Sequence, residues 1–252
     1  MLTTPVPSPV TLESLPWDSH HFGFPVARMM GLKLGELELR EGLCSARRMK
    51  VKLVYWAADP GGNVPQPILD EFGGLFVDRK ATFQKTLPAL GPESDALQSW
   101  RITEHPRTDP AVELVRLAVT AGSCSRFRLD PRIPRESFKR LYELWIVRSV
   151  LGELADMVFV AARGRSTSEP AGLITVRLTG GQGSIGLIAV DELARGQGIG
   201  TRLIQAAHRW LLARGVKRVT VVTQLDNQAA CRFYEKCGYE QVELRHVYHF
   251  WI

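Results

Sequence analysis

The residues best suited to chemistry lie between Ile185 and Thr201. An apolar run, Ile185-Gly186-Leu187-Ile188-Ala189-Val190, passes through Asp191-Glu192-Leu193-Ala194 into Arg195-Gly196-Gln197-Gly198-Ile199-Gly200-Thr201. Glycines at 196, 198 and 200 let backbone N–H groups converge without side-chain obstruction. At the start of a helix those amides sit at the positive end of the dipole and form a cradle for an anion such as a pyrophosphate. Two other phosphate loops fit poorly. The dinucleotide turn needs the register GxGxxG and an acid some twenty residues on; here the register differs, and the next strand closes on Thr223-Gln224. A P-loop needs GK[ST], which does not follow. A plain glycine loop with no ligand is the bland alternative.

A second cluster lies downstream, in Leu225-Asp226-Asn227-Gln228-Ala229-Ala230-Cys231-Arg232-Phe233-Tyr234-Glu235-Lys236-Cys237-Gly238-Tyr239. Asparagine is a preferred N-cap and glycine a preferred residue just past a helix end, so Asn227 and Gly238 bracket a helix over 228–237. Tyr234 sits two turns along it. A phenol there can give a proton to a leaving group, which is general acid catalysis worth typically ~10²–10⁴-fold. By helical spacing alone it can equally pack as a core aromatic beside Phe233.

Both clusters need elements to hold them. Ala171–Leu178, Ser184–Val190 and Met157–Ala162 read as strands, and their short polar connections favour an antiparallel meander. After the glycine turn, Leu203, Ala207, Trp210 and Leu211 form the apolar stripe of a helix, and Val216–Thr223 is the next strand. Strand, turn, helix, strand demands a crossover and hence a parallel pair. Upstream, Pro134–Leu151 is an amphipathic helix with proline at its start. Nearer the N-terminus, Leu34–Lys50 has a loose helical period, Val51–Ala57 and Leu75–Leu87 read as strands, and Pro67–Phe72 as a short helix. Glu240–Ile252 ends as strand. The expected division is a small α/β N-terminal domain over 1–90, a linker rich in proline and charge over 91–111, and a larger domain over 112–252.

The 252 residues are 45% hydrophobic and 23% charged, which excludes a disordered or fibrous chain. The formal charge of +6 suits an anionic small molecule but is too modest, and too free of aromatic–basic striping, to indicate nucleic acid. The opening MLTTPVPSPV has no basic or apolar region of a secretory signal, and no stretch approaches a membrane span, so neither export nor a membrane is expected. Cys44, Cys124, Cys231 and Cys237 form no CxxC pair and are expected as reduced thiols of a cytoplasmic protein. No metal is expected.

Arg195-Gly196-Gln197-Gly198-Ile199-Gly200 fits the (Arg/Gln)-x-x-Gly-x-(Gly/Ala) turn of the GCN5-related N-acetyltransferases at every position. Residues 225–239 resemble the second signature of that superfamily, N-x-x-A-x-x-x-Tyr-x-x-x-Gly-(Phe/Tyr). The resemblance covers about Val112–Ile252. A narrower resemblance, to the TDP-fucosamine acetyltransferase (WecD) family of surface-polysaccharide synthesis, rests on Pro16-Trp17-Asp18-Ser19-His20-His21-Phe22-Gly23, Ser125-Arg126-Phe127-Arg128-Leu129-Asp130-Pro131 and Thr223-Gln224-Leu225-Asp226-Asn227.

The resemblance implies an α/β GNAT fold: a mixed, mostly antiparallel sheet with a splayed parallel pair, preceded by the smaller N-terminal domain. It implies acetyl-CoA as cosubstrate and an N-acetyltransferase acting on the amine of a nucleotide-linked amino sugar, most simply a TDP-4-amino-4,6-dideoxyhexose. Leu187, Ile188, Ala189 and Val190 would hold pantetheine, and Arg195, Gly196, Gln197, Gly198, Ile199, Gly200 and Thr201 the pyrophosphate. Asn227 would bond the coenzyme's arm while capping its helix. Tyr234 would be the general acid, with a backbone N–H near Ala189 or Val190 meeting the oxyanion. Arg126 and Arg128 would neutralise the acceptor's diphosphate, or stand as solvated arginines before a helix. His20, His21, His208, His246 and His249 offer no clear base, and deprotonation through ordered water or from bulk serves as well. Phe233 stands where relatives carry a basic residue, which bears on the phosphate contacts. A homodimer is compatible with this reading. Two alternatives stay open: an acetyltransferase for another small amine or a protein N-terminus, and a non-catalytic acyl-CoA sensor.

Overall fold

A computed structural model describes residues 10–88, 100–163 and 169–252. In chain order the elements are β1 (Leu12–Ser14), α1 (Pro16–Phe22), β2 (Val26–Met29), α2 (Glu36–Arg48), β3 (Leu53–Ala58), α3 (Gln66–Glu71), β4 (Gly74–Thr86) and β5 (Trp100–Glu104). Then follow α4 (Val112–Ala121), α5 (Arg126–Leu129), α6 (Arg135–Val150), β6 (Met157–Arg163), β7 (Gly172–Thr179) and β8 (Gln182–Val190). The chain closes with α7 (Ile199–Leu212), β9 (Arg218–Gln224), α8 (Gln228–Lys236) and β10 (Glu240–Trp251). No helix among the described residues is long and apolar enough to cross a membrane.

The chain forms two compact units. The first takes the residues up to Lys80, together with Leu129–Ile133 and Leu244–Ile252. Here β2 runs antiparallel to β1 and parallel to β3, and β3 runs antiparallel to His246–Trp251 of β10. Helix α2 turns Leu39, Gly42, Leu43 and Ala46 inward, spaced three or four apart along one face. Leu39, Leu43 and Ala46 join Val54, Trp56, Ile68, Phe72, Tyr248 and Phe250 in one core. The Glu38 carboxylate accepts the Gly35 N–H at 2.7 Å and so satisfies a donor at the start of α2. Helix α1 falls in the Trp17–His21 motif, which periodicity left unassigned. Its punctuation is orthodox: Pro16 opens it, and Gly23 closes it at φ +76°.

The second unit takes Ala81–Arg128 and Pro134–Glu243. Its strands run in the order β9-β8-β7-β6-β5. The expected meander is present, with β6–β7 and β7–β8 antiparallel and β8–β9 parallel. The crossover between β8 and β9 is α7, which buries Leu203, Ile204, Ala207, Trp210 and Leu211. This is the mixed, mostly antiparallel sheet with a parallel pair that the sequence led us to expect.

The linker expected over 91–111 lies partly outside the described residues, which resume at Trp100. Within its described part, Trp100–Glu104 is a strand, paired antiparallel with β6 from Trp100↔Arg163 to Glu104↔Phe159. Flanking prolines and charges hid it, because a five-residue edge strand owes its existence to its partner more than to its own composition. The helix over 112–121 was also unassigned. It buries Leu114, Leu117 and Ala118 on one face.

Candidate active site

The site begins where β8 and β9 stop pairing. Their parallel register holds at Gly183↔Val219, Ser184↔Thr220 and Ile185↔Val221, yet β8 continues to Val190 and β9 to Gln224. A bulge explains the parting. On the other side of β8 the register passes from Val176↔Ile185 to Ile174↔Ile188, so Gly186 and Leu187 together face Thr175. A bulged strand bends and twists more strongly. Thr175, 1% exposed, accepts the displaced Leu187 N–H on Oγ1 at 2.8 Å. A Cβ on Gly186 would lie 2.9 Å from that oxygen, so this bulge needs a glycine. Leu187, Ile188, Ala189 and Val190 therefore follow the point of divergence, and Val222 of β9 is left 46% exposed beside it.

The glycine turn comes next. Gly196 (φ +75°) and Gly198 (φ +76°) adopt the left-handed conformation that side chains resist, and a Cβ at either would meet open space. Gly198 caps α7, whose first internal bond is Arg202 N–H to Gly198 C=O. Among the described residues no acceptor takes the N–H groups of Gly196 through Thr201. These are the orphan donors of a helix start, widened by the turn before it. Such a cradle fits a pyrophosphate.

Side chains brace the turn from behind. The Gln197 carbonyl oxygen accepts the Trp100 indole N–H at 2.8 Å, and Arg202 donates to the Trp100 carbonyl. Arg195 Nε donates to Val190 C=O at 3.3 Å. Asp191 accepts the Leu193 N–H at 3.0 Å and pairs with Arg116. The Arg116 bond, aided by the Leu193 N–H, holds that carboxyl below its usual range. Thus Arg195 and Gln197 spend their side chains on the protein, and the turn presents backbone. Trp100 was missed because it stood in the presumed linker; an isolated tryptophan in a polar, proline-flanked run was the available signal.

Helix α8 carries the second cluster. The Asn227 side chain accepts the Ala230 N–H at 3.2 Å, a genuine N-cap. Tyr234 is 3% exposed and packs against Phe83, Phe233 and Tyr239 at ring separations of 5.9, 5.5 and 5.8 Å. Burial first, then the neighbouring Cys237 and Cys231, push its hydroxyl well above the usual phenol range. The phenol keeps its proton at any physiological pH. Phe233 lies on Gly200, where a Cβ would be 3.1 Å from the ring. The third glycine of the turn therefore serves helix packing, and the aromatic at 233 has a packing role.

Arg126 and Arg128 lie on the short α5. The Arg126 guanidinium sits 4.5 Å from the Phe127 ring centre, and Arg128 is exposed. His208 Nε2 lies 2.7 Å from the Tyr239 hydroxyl, and His249 Nδ1 lies 2.7 Å from Asp130. His246 meets Phe76 edge-on, and His21 stacks on Trp17. Among the described residues no group of three or more His, Cys, Asp or Glu is placed to hold a metal ion.

Residues 124–239 match the model of the Acetyltransferase (GNAT) family. The chain is 27% identical over 234 residues to a dTDP-fucosamine acetyltransferase of Escherichia coli O6:H1, covering 92% of this chain and 95% of that one. It is 40% identical over 58 residues to N-alpha-acetyltransferase 30 of Schizosaccharomyces pombe, covering 23% and 39% of the two chains. In fold it is similar to a GCN5-related N-acetyltransferase from Sphaerobacter thermophilus, with a TM-score of 0.61 at 17% identity over 95% of this chain and 76% of that one.

Proposed function

We propose, for a chain whose residues 124–239 belong to the Acetyltransferase (GNAT) family and which is an acetyl-CoA-dependent N-acetyltransferase, that the acceptor is the amine of a nucleotide-linked amino sugar, most simply a TDP-4-amino-4,6-dideoxyhexose. The observation that carries this is one of extent. The likeness to the dTDP-fucosamine acetyltransferase runs over 92% of the chain, whereas the likeness to the N-alpha-acetyltransferase spans 23%. A similarity that short says little about the acceptor. One that also takes in the N-terminal segments says more.

In this reading the side of Leu187–Val190 that faces away from β7, no longer paired with β9, bonds the pantetheine amides as an added strand would. The amides of Arg195–Thr201 receive the pyrophosphate. Asn227 bonds the arm and caps α8. Bound acetyl-CoA supplies the acetyl group as a thioester. The N–H of Ala189 or Val190 is the donor for negative charge growing on the carbonyl oxygen. Tyr234 holds the proton that the departing sulfur takes up, and burial keeps that proton in place until then. Arg126 and Arg128 meet the diphosphate of the acceptor.

The test is a screen for release of free coenzyme A thiol with dTDP-linked 4-amino-4,6-dideoxyhexoses, the same sugars without the nucleotide, small polyamines and peptides with free N-termini. We expect turnover with the nucleotide sugars and a large loss without the nucleotide. Turnover confined to peptides or simple amines would overturn the acceptor. Coenzyme binding without turnover on any amine would mark a sensor. With an active acceptor, Tyr234→Phe lowers kcat by about 100-fold or more and leaves the KM for acetyl-CoA nearly unchanged. An equal kcat would remove the acid role.

A further inference from the structure

The stretch from Phe233 in α8 to Tyr239 just beyond it touches α7 at points that recur along that helix. Gly200 lies under the Phe233 ring, and Thr201 stands near enough to Cys237 to offset part of the rise that burial gives its thiol pKa. Two turns on, His208 bonds Tyr239. Positions 201 and 208 are seven apart and so share a helix face. The first two contacts sit beside the coenzyme turn. The third is remote from it, and the coenzyme and acceptor roles assigned above do not use it.

The chemistry of that third contact is specific. Tyr239 is 2% exposed, so its hydroxyl would be costly without a partner. His208 Nε2 meets it at 2.7 Å. Burial, with the Lys85 cation nearby, lowers the His208 pKa to about 4, so the imidazole is neutral at physiological pH and acts as a hydrogen-bonding group. Tyr239 in turn holds Tyr234 twice. Its ring meets the Tyr234 ring edge-on, at 5.8 Å and 61°, and its N–H donates to the Tyr234 carbonyl at 3.0 Å. Lys85 closes the C-terminal end of α8 by donating to the Cys237 carbonyl. A single line of contact thus runs from α7, whose first turn is the pyrophosphate cradle, through His208 and Tyr239 to the phenol of Tyr234.

We infer that His208 is a positioning residue: its bond to the Tyr239 hydroxyl locks the α8 end to the coenzyme helix and so sets where the Tyr234 phenol stands. This rests on the reading of Tyr234 as the acid. Geometry of that kind is catalytically expensive to lose, since displacement of a reacting group by about 1 Å can cost up to ~100-fold.

The experiment uses the whole protein and four variants: His208→Ala, His208→Gln, Tyr239→Phe and the His208→Ala/Tyr239→Phe double. Against an active acceptor, His208→Ala and Tyr239→Phe each lower kcat by about 10-fold, with the KM for acetyl-CoA within about twofold. The double variant falls no further than either single, because both remove the same bond. His208→Gln, which keeps a hydrogen-bonding group, recovers much of the loss. In a Tyr234→Phe background, His208→Ala has no further effect. A 10-fold loss that persists in that background overturns the inference, as does a loss expressed in KM alone.

A second readout needs no turnover. The protein has five tyrosines, so ring-labelled tyrosine spectra can be assigned with single Tyr→Phe variants. In coenzyme-free His208→Ala and Tyr239→Phe the Tyr234 ring signal shifts and broadens, and in His208→Gln it returns. An unmoved Tyr234 signal overturns the positioning role whatever the kinetics show. If Tyr234→Phe itself proves fully active, the acid reading fails, and the ring signal still decides whether His208 sets the place of that side chain.

Discussion

Two clusters gather N–H donors in this protein, and they use them in opposite ways. In the first unit, the Asp130 carboxylate is 1% exposed and lies 2.7 Å from His249 Nδ1, 2.8 Å from the Trp251 indole nitrogen and 3.0 Å from the Arg132 N–H. Burial alone would raise its pKa, but those bonds outweigh it and draw the carboxyl down to about 2. In the second unit, the amides of Gly196–Thr201 have no acceptor of their own among the described residues. Donors closed around a resident carboxylate are structure. Donors left without a protein acceptor at the start of a helix stay open to water or to an anion. Each of the following measurements could erase that distinction.

The largest effect falls on the closed cluster. Asp130→Ala strands buried donors and costs about 3–5 kcal/mol, the range for removing one member of a buried pair. The melting temperature falls by roughly 10 °C, while coenzyme A titrated into the folded protein binds as before. An unaltered melt would show that the cluster is not a structural centre. The open cluster responds in the other sense. Gly198→Trp forces a side chain onto φ +76°, costing ~1–2 kcal/mol of stability, but fills the cradle. Calorimetric titration then shows the Kd for coenzyme A raised by about 100-fold or more, the loss of one or two charge-assisted bonds at ~1.5–3 kcal/mol each. Unchanged affinity would count against the turn.

A smaller effect tests the brace. Trp100→Phe removes the indole N–H from Gln197, worth about 0.5–1.5 kcal/mol, so the Kd for coenzyme A rises about threefold to tenfold with little change in melting temperature. The smallest is a pH dependence. Asp130 binds its proton near pH 2 when folded and near its ordinary 3.8 when unfolded. Its contribution is therefore complete above about pH 4 and fades as pH falls toward 2. The gap in melting temperature between the wild type and Asp130→Asn narrows over that window. A gap independent of pH would remove the charge from the account.

What could be read early was local. The turn at 195–200, the stripe of α7, the Asn227 cap and the Gly238 stop each depend on residues within a few positions of one another, and all four stand where they were expected. So does the parallel pair, because a crossover connection permits little else. What escaped depended on partners far away in sequence. Trp100 reaches Gln197 across 97 positions, Asp130 reaches His249 across 119, and β5 exists because β6 is there to pair with it. The segment Leu244–Ile252 belongs with the first unit although it ends the chain.

Residue types and their spacing were enough to determine that a cradle of glycine amides opens a helix and that a tyrosine rides two turns along another. Only the folded chain decided that Thr175 and Gly186 bulge β8 away from β9, that Phe233 rests on Gly200, and that a neutral histidine ties Tyr239 in place. The physical reason is one of range. Caps, turns and helical faces are fixed by dihedral angles over a few neighbouring residues, whereas a bulge, a buried hydrogen bond or a ring contact is settled by what the rest of the molecule brings alongside.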